Sequence, residues 1–266
     1  MKITQLRNAT IVLELGSEGR SMTVLVDPML ADEGTLPSLK YFGAPRRRNP
    51  IVPLPVEANE VLGRVTHALI THCQRGHFDH LDHAGKRFLR DRKIPVVCTA
   101  HDTAYLATRG LLVSPLSEAG RQPFFHGHIT PIPCVHGDGI VGRLMEHGSG
   151  YLIELPDEPS VYVAGDTLLT DDVARCLREL RPDVAILPAG GARLDLGGEI
   201  IMNGDDVVRA CALTNGIVVA NHLEALDHCP TTRDGLRDAA NRAGVGARLR
   251  IPGDGETIEL TNPRTP

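Results

Sequence analysis

The chain has 266 residues, of which 42% are hydrophobic, and this length and composition predict a single α/β domain covering residues 1–266. The 28 basic and 33 acidic residues leave a net charge of −5, which excludes a broad electrostatic attraction to nucleic acid or an anionic membrane. The N-terminus lacks the apolar core of a signal peptide, and no stretch approaches the roughly 20 apolar residues of a membrane span. We therefore expect a cytoplasmic protein without nucleic-acid or membrane partners; a homo-oligomer is compatible with the sequence.

Apolar and β-branched runs bounded by Gly, Pro or Asp predict the strands. In chain order they begin at Ala9 (ATIVLEL), Met22 (MTVLVDP), Thr66 (THALITH), Pro95 (PVVCTA), Gly150 (GYLIEL), Val161 (VYVAG), Asp183 (DVAILPAG), Gly216 (GIVVANH) and Ala247 (ARLRI). Helices are predicted between them, near His101–Gly110, in TDDVARCLRELRP from Thr170, in Gly204–Thr214, and in TTRDGLRDAANRAG from Thr231. The Pro- and Arg-rich segment Pro28–Pro55 predicts a long irregular loop, which is typical of an active-site cover or of local disorder.

The segment ITHCQRGHFDHLDHAG, residues Ile70–Gly85, holds four of the twelve histidines directly after a predicted strand. Imidazole and carboxylate groups at this spacing are ligands that zinc, iron and manganese prefer, so the segment offers half of a metal site. Its candidate ligands are His72, His77, Asp79 and His80. A solvated polar loop is the simpler alternative, and His83 is expected to cap or pack on the following helix.

Three distant segments each place a further ligand-type residue at the end of a predicted strand. TPIPCVHGDG offers His136, VYVAGDT offers Asp166, and GIVVANHLEALDHCP offers His222 with His228 beyond it. Polar residues that end apolar strands can converge on one rim of a sheet, where α/β proteins bind ligands. The agreement of four segments favours a metal site over a set of unrelated structural histidines.

These motifs, in this order, resemble the metallo-β-lactamase superfamily, and within it the ascorbate-6-phosphate lactonase-like branch. The resemblance extends from RNATIVLE and VLVDPML through RNPIVPLP, THCQRGHFDHLD, YVAGDT and PAGGA to ANHLEALDHCPTTR. It implies an αββα four-layer sandwich, in which two mixed β-sheets pack face to face with helices outside. It also implies a dinuclear metal site along one edge of that sandwich.

The resemblance assigns the metal ligands residue by residue. His72, His77 and His136 would hold the first metal, Asp79, His80 and His222 the second, and Asp166 would bridge both. One spacing departs from the family pattern, because CQRG places four residues between His72 and His77 where the family has one. Either the residues QRG form a bulge that leaves His72 in place, which we favour, or His72 is displaced and the first site is rearranged or completed by Cys73.

The implied chemistry is hydrolysis with two divalent metal ions, most naturally zinc, with manganese or iron also compatible. Two cations sharing a water would make hydroxide available near neutral pH, and Asp79 or His228 would move protons. We expect a small-molecule substrate, an ester or lactone with or without a phosphate group. The alternatives are phosphodiester hydrolysis at the same site and a metal-binding protein with little catalysis.

Several further residues have a functional and a structural interpretation. Asp27 would orient a metal-bound histidine or form a turn, and Gly190 and Gly191 would admit a ligand or form a tight turn. The basic run Arg46, Arg47 and Arg48 would bind a substrate anion or face solvent, and we favour solvent. The six cysteines lack CxxC pairs, and Cys73 and Cys229, beside the histidine segments, are expected to pack as buried thiols in preference to binding metal.

Overall fold

The computed structural model describes residues 1–16, 21–40, 42, 46–73, 77–139, 142, 145 and 147–261. The strands within these residues are β1 Lys2–Arg7, β2 Thr10–Leu15, β3 Met22–Val26, β4 His67–Leu69, β5 Pro95–Thr99, β6 Leu112–Leu116, β7 Gln122–Phe124, β8 Gly127–Pro133, β9 Ser149–Glu154, β10 Val161–Val163, β11 Val184–Pro188, β12 Ile217–Asn221, β13 Leu249–Arg250 and β14 Thr257–Glu259. The helices are α1 Ala58–Gly63, α2 His83–Asp91, α3 Thr103–Ala107, α4 Asp171–Arg175 with a π-helical turn Cys176–Leu180, α5 Gly204–Cys211 and α6 Arg233–Arg242. None of these helices is long and apolar enough to cross a membrane.

The described strands form two mixed seven-stranded sheets. The first has the order β14-β1-β2-β3-β4-β5-β6, and the second has the order β13-β12-β11-β10-β9-β8-β7. Each sheet is antiparallel in one half and parallel in the other, because β3 to β6 and β10 to β13 run parallel. Parallel neighbours end at the same edge, so the residues that follow β3, β4, β10, β11 and β12 gather along the rims of the two sheets.

The alternation of side chains along the strands builds three apolar layers. Ile11 and Leu13 of β2 pack with Val161 and Val163 of β10 between the two sheets. Residues that point the other way from the first sheet pack with α1 to α3, and those from the second sheet pack with α4 to α6. Helices therefore cover the outer face of each sheet, and the expected αββα sandwich is confirmed.

Three residues with a left-handed backbone lie where the rims of the two sheets meet. Asn8 has a φ of 54°, Asp27 of 46° and His222 of 58°, a region in which a residue other than glycine is strained. The His222 backbone N–H donates to the Asn8 carbonyl over 2.9 Å and so joins the second sheet to the β1–β2 turn of the first. These three strained residues lie at the edge where the candidate ligands gather.

Candidate metal centre

The structure brings all seven predicted metal ligands together in two neighbouring groups. The ligand-type atoms within each group lie within 4.8 Å of one another, and every residue except His77 is buried. The first group is His72, His77 and His136, and the second is Asp79, His80, Asp166 and His222. These are the two sets that the resemblance implied.

Asp166 lies between the two groups. Its Oδ2 is 3.1 Å from His80 Nε2 and 3.4 Å from His222 Nε2 in the second group, and 3.7 Å from His136 Nε2 in the first. A carboxylate has two oxygens, so a residue at this position can serve two cations at once. The geometry is that expected of a bridging ligand.

His72 remains with the first group despite the unusual spacing. Its side chain is 1% exposed, and its ring centroid lies 5.1 Å from that of His77 and 5.3 Å from that of His136. The chain is fixed immediately before the insertion, because Thr71 N–H donates to Asp27 Oδ1 over 2.8 Å and the Thr71 carbonyl accepts from Ser149 N–H over 3.1 Å. These anchors hold His72 in place.

The alternative in which Cys73 completes the first site does not match the structure. Cys73 packs in the apolar layer between the first sheet and its helices, and it belongs to neither ligand group in the described part of the chain. Burial raises the pKa of its thiol, as expected of a packing residue. The predicted bulge itself, Gln74–Gly76, lies outside the described residues.

Four of the histidines have Nδ1 engaged by the protein, which leaves Nε2 for a metal in three of them, while His222 Nε2 also lies 3.4 Å from Asn8 Nδ2. The engaged pairs are His80 Nδ1 with Asp27 Oδ2 at 2.8 Å, His136 Nδ1 with the Ile200 carbonyl at 2.7 Å, His72 Nδ1 with Thr71 Oγ1 at 3.1 Å, and His222 Nδ1 with Cys229 Sγ at 3.6 Å. Asp27 therefore has the orienting role that its position suggested, and it also fixes Thr71 through both carboxylate oxygens.

The donor set fits divalent cations. His72 Nε2, His77 Nδ1, His80 Nε2 and Asp166 Oδ1 are buried without a hydrogen-bond partner among the described residues. His80 Nε2 is 3.1 Å from Asp166 Oδ2 but lacks hydrogen-bond geometry. Buried polar atoms without partners are costly, and cations at the two groups would satisfy these nitrogens and oxygens with ligands of the type that zinc binds.

The two groups differ in charge. In the second group, burial opposes the charged form of His80, but the carboxylates of Asp166 and Asp27 outweigh it and raise its pKa to about 10. Asp166 also holds the pKa of His222 well above its usual range against the effect of burial. In the first group, burial lowers the pKa of His72, and the charge of His80 adds to this effect. Without metal, protons on the second group balance its carboxylates, whereas His72 is neutral and ready to bind.

The metal-free protein should lose stability as the pH rises. The pKa of His80 is raised from 6.5 to about 10, so its stabilisation is fully present below pH 6.5 and is lost as the pH passes through about 10. Denaturant unfolding of chelator-treated protein across this window should show a falling free energy of unfolding, and zinc-loaded protein should show a smaller decline. An equal decline in the two preparations would contradict this assignment.

Loss of the Asp27 carboxylate should weaken metal binding without removing a ligand. Asp27→Asn removes the charge that accepts from His80 Nδ1, and replacement of such orienting groups costs roughly 10–100-fold in metal affinity. Competition with a chromophoric chelator measures this loss. Asp32→Asn, on the early loop, is the matched control and should bind metal as the wild type does.

His228 lies outside both ligand groups, at the wall of a cavity of about 510 Å³. Its side chain is buried, its Nδ1 has no hydrogen-bond partner among the described residues, and burial lowers its pKa to about 4. The imidazole is therefore neutral at neutral pH. A neutral imidazole has one N–H donor and one free acceptor nitrogen, which suits the predicted role in proton transfer.

The long early loop reaches the same cavity. Lys40 and Phe42 of this loop line it together with His228. Asp227 holds this loop in place, because its carboxylate accepts hydrogen bonds from Ser38 Oγ, Leu39 N–H and Asn49 Nδ2. The carboxylate that precedes His228 in the chain thus holds the early loop at the cavity.

The predicted basic run Arg46–Arg48 lies in the early loop and faces solvent. Arg48 donates to the carbonyls of Gly34 and Thr35 within its own loop, and Arg46, Arg47 and Arg48 are exposed and absent from the described lining of the cavity. The favoured interpretation as a solvated run agrees with these positions, and the anion-binding alternative stays untested.

The two glycines pack against protein, whereas His83 is exposed. A Cβ on Gly190 would lie 2.3 Å from the His222 carbonyl, and Gly191 has a φ of 59°. Both glycines therefore permit close packing and a turn beside His222, with protein as their neighbour in place of a ligand. His83 is the exposed first residue of α2, and the side chain that caps this helix belongs to Asp82, so the expectation that His83 caps it is wrong.

Sequence reasoning missed three residues that support the centre. Asn8 donates to the Asp79 carbonyl, Thr71 contacts both Asp27 and His72, and Cys229 contacts His222. Cys229 was expected to pack in preference to binding metal, and a contact with a candidate ligand was not foreseen. The Asn8–Thr10 turn between two strands was the available signal for Asn8; the other two contacts depend on the fold.

The comparisons with known proteins agree with this geometry. A family model described as a beta-lactamase superfamily domain matches residues 22–223. The chain belongs to this superfamily. A UPF0173 metal-dependent hydrolase of Azorhizobium caulinodans is 30% identical, with 98% of this chain and 100% of the relative covered. This chain is therefore a metal-dependent hydrolase of the metallo-β-lactamase superfamily.

Two solved structures extend the comparison. The isothiocyanate hydrolase from Delia radicum gut bacteria is 31% identical, with a TM-score of 0.87, and the match covers 98% of this chain and 100% of that chain. The metallo-β-lactamase fold protein YhfI from Bacillus subtilis is 13% identical, with a TM-score of 0.64, and the match covers 97% and 98% of the two chains. At 13% identity, the similarity to YhfI shows only that the two chains share a fold.

Proposed function

We propose that this metal-dependent hydrolase uses two divalent cations, most naturally zinc, to hydrolyse small molecules at an electrophilic carbon, and that isothiocyanates are its first substrate class. The observation that carries the proposal is the pair of buried ligand groups around Asp166, together with His228, which interacts electrostatically with Asp79 and lines a cavity. The similarity to an isothiocyanate hydrolase along the whole chain supports the substrate class.

The ligand groups divide the work at the centre. His72, His77 and His136 would hold one cation, Asp79, His80 and His222 the other, and Asp166 both. When bound, the cations supply Lewis acidity and make hydroxide available near neutral pH. Against the effect of burial, hydrogen bonding to His222 and the charge of His80 hold the pKa of Asp79 well below its usual range, so Asp79 stays ionised and accepts a hydrogen bond from the attacking water.

Neutral His228 can complete the reaction at the leaving group. Water adds to the central carbon of an isothiocyanate, and cleavage of the carbon–nitrogen bond then gives an amine and carbonyl sulfide. The departing nitrogen needs a proton, and the neutral His228 imidazole can take one from the added water and then pass it to that nitrogen. An ester or lactone would use the same steps, with oxygen as the leaving atom.

The state of the cysteines supports a thiol-reactive substrate. Isothiocyanates modify thiolates, and a thiolate is formed only when the thiol ionises. Burial raises the pKa of all six cysteine thiols, and none of the six is exposed. A chain with these cysteines can tolerate the substrate that we propose.

Esters and lactones, with or without phosphate, are the second substrate class, consistent with the resemblance to the ascorbate-6-phosphate lactonase-like branch. The test is turnover of phenyl isothiocyanate, 4-nitrophenyl acetate, a γ-lactone and bis(4-nitrophenyl) phosphate by zinc-loaded protein. We expect the highest kcat/KM for the isothiocyanate and loss of all turnover in Asp166→Asn. A phosphodiester as the preferred substrate, or two bound metals without turnover of any carbon substrate, would overturn the proposal.

A further inference from the structure

Among the described residues, four charged side chains line the cavity beside His228. They are Lys40, Arg193, Asp195 and Asp227. The wall therefore has equal numbers of acidic and basic groups, and the net charge of the lining does not by itself indicate what the cavity binds. The indication comes from which of these charged groups already pair with other groups of the protein.

Both carboxylates of the wall are engaged by the protein. Asp227 accepts three hydrogen bonds from the early loop, as described above. Asp195 Oδ2 accepts from Phe42 N–H over 2.9 Å, and its Oδ1 is 3.9 Å from Lys40 Nζ. Lys40 Nζ also lies 3.4 Å from the Leu194 carbonyl. These three charges hold the loops of the cavity wall to one another.

Arg193 is the charge that remains available. Its side chain is exposed, and its guanidinium makes no hydrogen bond or ion pair with the described residues. Its backbone is nevertheless fixed beside the proposed proton donor, since Arg193 N–H donates to the His228 carbonyl over 3.1 Å and Arg193 forms an antiparallel bridge with Glu199. A positive side chain on a fixed backbone therefore lines the cavity without a protein partner.

We infer that Arg193 selects substrates that bear an anionic substituent, a carboxylate or a phosphate, and binds this group in the cavity beside His228. The inference rests on the proposed function and deepens it. A guanidinium offers five N–H donors in a planar fork that matches a carboxylate or phosphate. Binding the substituent at Arg193 holds the rest of the molecule next to His228, because both residues line the cavity.

Binding of unreactive analogues tests this inference without requiring turnover. Titration calorimetry compares the affinities of 4-carboxyphenylthiourea and phenylthiourea for zinc-loaded protein. Both compounds carry the thiourea group, so its contribution cancels from the ratio of the two affinities. We expect the carboxylate analogue to bind at least about 10-fold more tightly to the wild type, as a charge-assisted pair would give. Arg193→Gln should remove this preference, and Arg193→Lys should keep part of it. Arg237→Gln, which removes a half-exposed arginine from α6, should leave it unchanged.

Kinetic measurements distinguish failure of the anion site at Arg193 from failure of the proposed substrate class. For 4-carboxyphenyl isothiocyanate relative to phenyl isothiocyanate, the ratio of kcat/KM should be high in the wild type and fall in Arg193→Gln through a higher KM. Equal affinity of the two thioureas for the wild type, or an unchanged preference in Arg193→Gln, would overturn the inference. A preference in binding without turnover of either isothiocyanate would support the anion site and overturn the proposed substrate class alone.

Discussion

Asp166→Asn will reduce kcat/KM by at least about 10³-fold and lower the metal content from two ions per chain to one or none. The expected loss exceeds the ~10–100-fold effect of an orienting residue, because Asp166 lies between both ligand groups and its replacement weakens the two sites together. The substitution also leaves the protonated His80 and His222 of the metal-free protein with less opposing charge. Steady-state kinetics and elemental analysis on the same preparation measure both effects.

Asp171→Asn is the matched control for this substitution. Asp171 is exposed at the start of α4, five residues from Asp166, so the same change in charge there should leave both readouts at wild-type values. If Asp166→Asn kept two metals and more than a tenth of the activity, Asp166 would not bridge the two groups, and the division of the ligands would be wrong.

His228→Ala will lower kcat by about 10²-fold or more while the protein keeps two metals. Positioned general acids and bases contribute roughly 10²–10⁴-fold, and His228 lies outside both ligand groups. Because burial lowers the pKa of His228 to about 4, the imidazole is neutral throughout the working range and can accept a proton from water and pass it to the leaving group. The measurements are kcat for the preferred substrate and the zinc content of the purified variant.

His83→Ala controls for the loss of a histidine, because His83 is exposed on α2. His228→Gln should retain a fraction of the activity, since its amide still donates a hydrogen bond at a similar position. If His228→Ala lost one metal, His228 would be a ligand; if it kept full activity, proton transfer would have to depend on Asp79 alone.

The predicted strands correspond to described strands because each is a run of apolar residues bounded by turn-forming residues. The ends of β4, β10 and β12 carry His72, Asp166 and His222, so the sequence indicated the rim as well as the sandwich. The missed strands lack that signal. β8 contains two prolines, and β14 has three residues and depends on pairing with β1 from the other end of the chain.

The fate of His72 could not be predicted from spacing, which is a local property. His72 is held by contacts of Thr71 with Asp27 and Ser149, which lie 44 and 78 positions away in the chain. The contact of Cys229 with His222 likewise depends on the conformation of the intervening loop, including the left-handed backbone of His222. The sequence thus predicts the candidate ligands, whereas the residues that orient them can be identified only from the folded structure.

Anomalous diffraction at the zinc edge from crystals grown with zinc tests the central claim most directly. Two peaks should appear, one bounded by His72, His77 and His136 and the other by Asp79, His80 and His222, with Asp166 between them. A single peak, or a first-site peak that Cys73 bounds in place of His72, would contradict the account.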